Sequence, residues 1–139
     1  MRYHLFVSHG GFASGIAEAL GMLVGQRDDV LQVSFRDGMA LPAFQEQVRQ
    51  VTAPITGEDE VLILADLVNG SPLTTTMAVL AEGPGLANVR AVGGMNLPMA
   101  VTAIEGQDDP LDEAVEAMKA CAAEEIKQFQ TETGSDDDI

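Results

Sequence analysis

One cysteine in 139 residues leaves no partner for an internal disulfide and no thiolate cluster for a metal, and it suits a reducing compartment. Basic side chains are also scarce. Seven lysines and arginines stand against 22 acids, for a formal net charge of −15. Such a surface repels nucleic acid and anionic lipid, keeps the chain dissolved, and speeds encounter with a basic protein partner. No apolar run approaches the length of a membrane span, and the opening stretch "MRYHLFVSHGG" is too short for a signal peptide. The chain therefore reads as cytoplasmic and not membrane-embedded. Several reaction motifs are missing too. Gly10, Gly11 and Gly15 have the wrong spacing for GxGxxG, and there is neither a GxxxxGKS/T loop nor a GxSxG elbow. With two histidines in all, and "GQDDP" at 106–110 reading as a polar turn, no metal centre is expected.

What is present is a folded domain. Apolar residues make up 46% of the chain, enough for one core over 1–131, followed by an acidic tail at 132–139 with no fold of its own. Four apolar runs, at 3–8, 30–35, 61–65 and 89–94, are each closed by a turn signal and followed by helical periodicity. The run "VLILA" at 61–65 is apolar throughout, as a central parallel strand is. "VLQVSF" at 30–35 alternates, with Gln32 and Ser34 on one face, and suits a sheet edge. Helical stripes recur at Phe12, Ile16, Leu20 and Leu23, and again at Leu41, Phe44, Val48 and Val51. A third helix spans 73–82 behind Ser71-Pro72, a cap and first turn. A last one, 111–129, carries Leu111, Val115, Met118, Ala122, Ile126 and Phe129 on one face, with Cys121 as a small buried hydrophobe beside it. Strand and helix in alternation predict a doubly wound, mainly parallel α/β sheet covered on both faces.

In such sheets ligands bind beyond the carboxyl ends of the strands, where the strand order reverses. His9 follows the first strand and Asp66 the third, in "LILADLVNGSP". Neighbouring strands lie about 4.8 Å apart, so these two side chains would share a hydrogen bond. A carboxylate accepting from Nδ1–H fixes the imidazole tautomer and leaves the Nε2 lone pair free for phosphorus. Phosphoryl transfer asks mainly for positioning and charge stabilisation. The amides of the Gly10-Gly11 turn at a helix N-terminus, with the hydroxyl of Ser71, would bind the phosphoryl oxygens. Ser71 alone would be a helix cap, and His4, inside the first strand, a packing or edge residue.

Five segments in order carry a family resemblance: "SHGGFASG", "MLVGQRDDVLQVSF", "DLVNGSP", "GMNLPM" and "DDPLDEAV". Together they resemble the mannose-type enzyme IIA domain of the bacterial sugar phosphotransferase system, nearly end to end. The resemblance places His9 at the phosphoacceptor position, with Asp66 and Ser71 supporting the histidine and its phosphate. It implies strand order 2-1-3-4 and a homodimer that exchanges a short C-terminal strand, here near 126–133. It also implies phosphate transfer from HPr to His9 and on to a IIB component coupled to membrane IIC and IID components, with no cofactor. Gly11-Phe12 replace an aromatic directly after the first glycine in mannose members, and Val68-Asn69 replace a Trp-Gly pair. "HGGFASG" resembles the N-acetylgalactosamine-like branch. The chain stops soon after its last helix and reads as a free-standing IIA without a fused IIB.

Two other readings remain open on sequence. One is a IIA-like phosphodonor subunit for dihydroxyacetone kinase. The other is a non-catalytic regulatory module that only holds an anion at the helix N-terminus.

Overall fold

The structure, a computed structural model, describes residues 1–131. Strands β1 (Arg2–His9), β2 (Val30–Phe35), β3 (Glu60–Ala65) and β4 (Val89–Val92) alternate with helices α1 (Phe12–Val24), α2 (Leu41–Thr52), α3 (Ser71–Glu82) and α4 (Leu97–Glu105), and α5 (Leu111–Glu124) ends the fold. The strands form one parallel sheet in the order β2-β1-β3-β4. This is the expected topology. Its order reverses between β1 and β3, which places a crevice beyond His9 and the residue after Ala65.

Alternation along the strands divides the interior in two. Leu5 and Val7 of β1, with Val61, Ile63 and Ala65 of β3, face α2 and α3 and pack on Phe44, Val48, Leu73 and Leu80. Phe6, Leu62 and Leu64 face the other way and pack on Ile16 and Leu20 of α1, Met99 and Ala103 of α4, and Met118 of α5. Both faces of the central strands are thus dry, which holds their register. The outer edge of β2 is closed by Gln47 of α2. Its Oε1 accepts from the Ser34 amide at 2.8 Å and its Nε2 donates to the Ser34 carbonyl at 3.1 Å. A side chain on α2 thereby takes the place of a further strand.

The helices depart from the sequence pattern in several places. A separate helix, α4, lies between β4 and the last helix, where the sequence reading has only a turn. Asn96 caps it, accepting from the Met99 amide at 3.0 Å and donating to the Ala122 carbonyl at 3.1 Å. The last helix stops at Glu124, short of 129. Its final turn holds acids against the negative end of the helix dipole, and Ile126 and Phe129 are exposed, with nothing among the described residues covering them. On α1, Ala13, Ile16 and Leu20 are buried, whereas Phe12 and Leu23 are exposed. Cys121 is half-buried, and Ser34, expected on a polar face, is buried under Gln47. The exchanged strand expected at 126–133 is not seen: 126–131 have no regular structure, and 132–133 lie outside the described residues, as does the tail.

His4 is fully buried in a central strand, a packing residue and not an edge one. Neither ring nitrogen makes a hydrogen bond among the described residues, and Asp29 Oδ2 stays 3.8 Å from Nδ1. Burial lowers the imidazole from 6.5 to about 4, with Asp29 opposing only part of the shift. The folded state therefore refuses a proton that the unfolded chain accepts below its ordinary value. Stability contributed by neutral His4 is full at neutral pH and falls as pH drops from 6.5 toward about 4. Urea melts at about pH 7 and about pH 5 should differ by about 2 kcal/mol from this group. His4→Leu should remove that share of the acid sensitivity.

Candidate functional site

The loops after β1 and β3 converge on one carboxylate. Asp66 Oδ2 accepts from the His9 backbone amide at 2.9 Å and lies 2.8 Å from His9 Nδ1, while Oδ1 accepts from the Leu67 amide at 2.8 Å. The backbone of Asp66 is itself pinned: its amide donates to the Val7 carbonyl at 3.1 Å, and its carbonyl accepts from Gly94 at 3.0 Å. The β1–β3 and β3–β4 ladders are thereby extended by one step into the crevice. Burial alone would raise the Asp66 carboxyl, but the bonds from the His9 amide, the His9 ring and the Leu67 amide outweigh it and hold the carboxyl below its ordinary value. An ionised acceptor at Nδ1 puts the ring proton there and leaves Nε2 as the lone-pair nitrogen.

The His9 side chain is 49% exposed, so the ring is open to a partner. Gly70 lies against its edge. A Cβ there would stand 3.1 Å from His9 Cε1 and 3.6 Å from Nε2. Gly70 has φ 174°, extended backbone open to any residue, so what the position requires of it is the space beside the imidazole.

The turn beneath the ring needs glycine for a different reason. Gly10 has φ +55°, a left-handed conformation that turns β1 sharply into α1. Its amide donates to the Phe35 carbonyl at 2.8 Å, so Gly10 shapes the loop while its own N–H is spent on β2. The Ala13 amide is taken by the buried Ser8 Oγ at 2.6 Å. The amides of Gly11 and Phe12 have no partner among the described residues, as the first donors of a helix have none within it. They, and the positive end of the α1 dipole, are what remains for an anion.

A family model described as "PTS system fructose IIA component" matches residues 4–120. The chain belongs to that family. It is 31% identical over 91 residues to the PTS system fructose-specific EIIA component of Bacillus subtilis (strain 168), covering 66% of this chain and 60% of that protein. It is 25% identical over 117 residues to the PTS system mannose-specific EIIAB component of Escherichia coli (strain K12), covering 84% of this chain and 35% of that one. The chain thus spans less than two thirds of either relative's length. In fold it resembles the mannose/sorbose specific IIA subunit of the phosphotransferase system from Enterococcus faecalis, with a TM-score of 0.80 over 94% of this chain and 96% of that one at 24% identity. This IIA chain is therefore a relative of phosphotransferase-system components, and among its described residues no helix is long and apolar enough to cross a membrane.

Of the residues singled out in the sequence, the structure brings His9, Asp66, Gly10 and Gly11 together. Ser71 stands at the start of α3, next to Gly70, but Gly70 occupies the cap position and the Ser71 hydroxyl makes no capping bond. Four contributors were not read from sequence: Ser8, the Leu67 amide, Gly70 and Arg36, whose Nη1 lies 3.0 Å from where a Gly11 Cβ would stand. The "GSP" segment carried a signal for Gly70. Ser8 had none, since a serine inside a buried strand reads as packing.

If Asp66 sets the tautomer of this IIA chain's His9, long-range ¹⁵N spectra should show a protonated Nδ1 and an unprotonated Nε2 in the neutral ring. Asp66→Asn, whose amide can donate as well as accept, should give a tautomer mixture.

Proposed function

We propose that this IIA chain is a phosphocarrier that accepts a phosphoryl group from phospho-HPr on His9 Nε2 and passes it to a histidine of a IIB protein. The observation that carries the reading is the 2.8 Å bond from His9 Nδ1 to Asp66 Oδ2 on a half-exposed ring. Family membership and the likeness to fructose- and mannose-specific phosphotransferase-system components support it.

In the forward step the Nε2 lone pair of neutral His9 forms a bond to phosphorus as the N–P bond of the donor phosphohistidine breaks. The bonding pair returns to the donor imidazole. His9 then carries phosphate on Nε2 and a proton on Nδ1, a cationic ring whose charge the Asp66 carboxylate balances. Transfer to the acceptor runs the same exchange in reverse, so no proton need leave Nδ1 at any point. The amides of Gly11 and Phe12 face the phosphoryl oxygens, with Gly10 shaping the turn and the Ser71 hydroxyl nearby at the head of α3.

The acidic surface suits basic faces on HPr and IIB, which steer encounter at low salt. In this reading the protein works in the cytoplasm and reaches the membrane components through IIB. It also pairs with a second copy. Ile126 and Phe129 are 78% and 80% exposed, and cover from a partner subunit would relieve that exposure.

Incubation with enzyme I, HPr and phosphoenolpyruvate should add one phosphoryl group, stable to base and labile to acid, mapped to the peptide containing His9. His9→Ala should take up none; full labelling of that variant would refute the assignment, and reversible phosphate binding without a covalent product would favour the anion-holding module. Gly70→Ala should keep the fold, because its backbone is extended, yet slow labelling about tenfold by crowding the ring. Circular dichroism and the labelling rate, measured together, check this.

A further inference from the structure

The chain has 7 basic side chains, all among the described residues, and six of them stand within ion-pair distance of a carboxylate. That leaves Arg36, which has no carboxylate at that distance among the described residues. Among the described residues it is the one basic side chain without such a partner. Its position is informative. Arg36 follows Phe35, the register partner of His9 across the β1–β2 pair, and the Phe35 carbonyl holds the Gly10 amide. The side chain is exposed and reaches back over the start of α1, where Nη1 lies 3.0 Å from the position a Gly11 Cβ would take.

The guanidinium therefore shares a small region with the unpartnered amides of Gly11 and Phe12 and with the positive end of the α1 dipole. Donors of positive character gather there, and among the described residues no carboxylate lies within ion-pair distance of Arg36. A phosphoryl group on the neighbouring imidazole would bring about two negative charges and three acceptor oxygens. A planar guanidinium suits such a group, because it donates two parallel hydrogen bonds to adjacent oxygens. Gly11 matters in this arrangement for having no side chain, since one would displace Nη1.

We propose that Arg36 is a phosphoryl-binding residue, its guanidinium hydrogen-bonding the oxygens of the group carried on His9. The inference rests on the phosphocarrier reading and adds to it the cation that complements the loop amides. Arg36 makes and breaks no covalent bond. It stabilises the charge on the phosphoryl oxygens during transfer and in the phosphorylated state.

Arg36→Gln and Arg36→Lys in the full chain, with phospho-HPr as donor, provide the test. Arg36→Gln should lower kcat for labelling of His9 about ten- to a hundredfold with little change in KM, and Arg36→Lys should recover part of the loss. In wild type the arginine Nε–H signal that is missing from the Arg36→Gln spectrum should move when His9 is phosphorylated, and the ³¹P resonance should differ between the two proteins. A wild-type kcat in Arg36→Gln would overturn the proposal. So would an effect on KM alone with an unmoved ³¹P resonance, which would make Arg36 a contact for the donor protein. If wild type itself fails to label at His9, the phosphocarrier reading falls first, which separates the two failures.

Discussion

The bond between His9 Nδ1 and Asp66 Oδ2 depends on a parallel pairing of β1 with β3 in one register, with Val7 opposite Ala65. Parallel strands end side by side, so the residues that follow them emerge at the same level and about one strand spacing apart. A slip of one residue would send every side chain of the strand to the opposite face and bury Asp66 or withdraw it. The dry cores on both faces resist such a slip, because Phe6, Leu62 and Leu64 fit only one side and Leu5, Val7 and Ile63 only the other. The reach of an imidazole to a carboxylate is in this sense a property of the whole sheet.

Asp66 does more than touch a ring. One of its oxygens takes both the amide and the Nδ1 of His9, so the same carboxylate positions backbone and side chain together. The other takes the Leu67 amide and closes its own loop. Glycine at three places completes the frame. Gly10 turns the chain where a side chain would be strained, Gly70 leaves room beside the imidazole, and Gly93 leaves room for Val68, whose Cγ2 would clash with any Cβ there. Backbone hydrogen bonds tie the loop residues Gly10 and Asp66 to the neighbouring strands.

The electrostatics of the surface and of the site run in opposite senses. Acids dominate the exterior, and most of the few cations are neutralised by them. At the head of α1, helix amides and the guanidinium of Arg36 face a common space with no carboxylate at ion-pair distance from Arg36 among the described residues. In the proposed reading the acidic exterior draws in a basic partner, and the amides and guanidinium at the head of α1 receive the anion that it brings. Two opposite fields on one small domain suit the phosphocarrier role proposed above.

Much of this was legible along the chain, and the reason is local. The all-apolar "VLILA" marks a strand buried on both faces, the alternation of "VLQVSF" marks an edge, and His9 and Asp66 stand at turn signals after two such runs. Those features depend on side-chain period and turn chemistry, which neighbours in sequence express without help. The helix α4 is hidden in the sequence because "NLPMAVTAIE" is short and too uniformly apolar to show a stripe, and the periodicity overextends α5 because its stripe continues into Ile126 and Phe129 without saying what would cover them. The sequence by itself determined the four strands, the first three helices, the sheet class and the two residues at the strand ends. Only the tertiary structure decided that Asp66 grips the His9 amide as well as its ring, that the Gly10 amide is spent on Phe35 while Ser8 holds the Ala13 amide, and that Arg36 leans over Gly11. Those contacts join residues far apart in the chain or on facing elements, and their distances exist only once the strands have been laid in register.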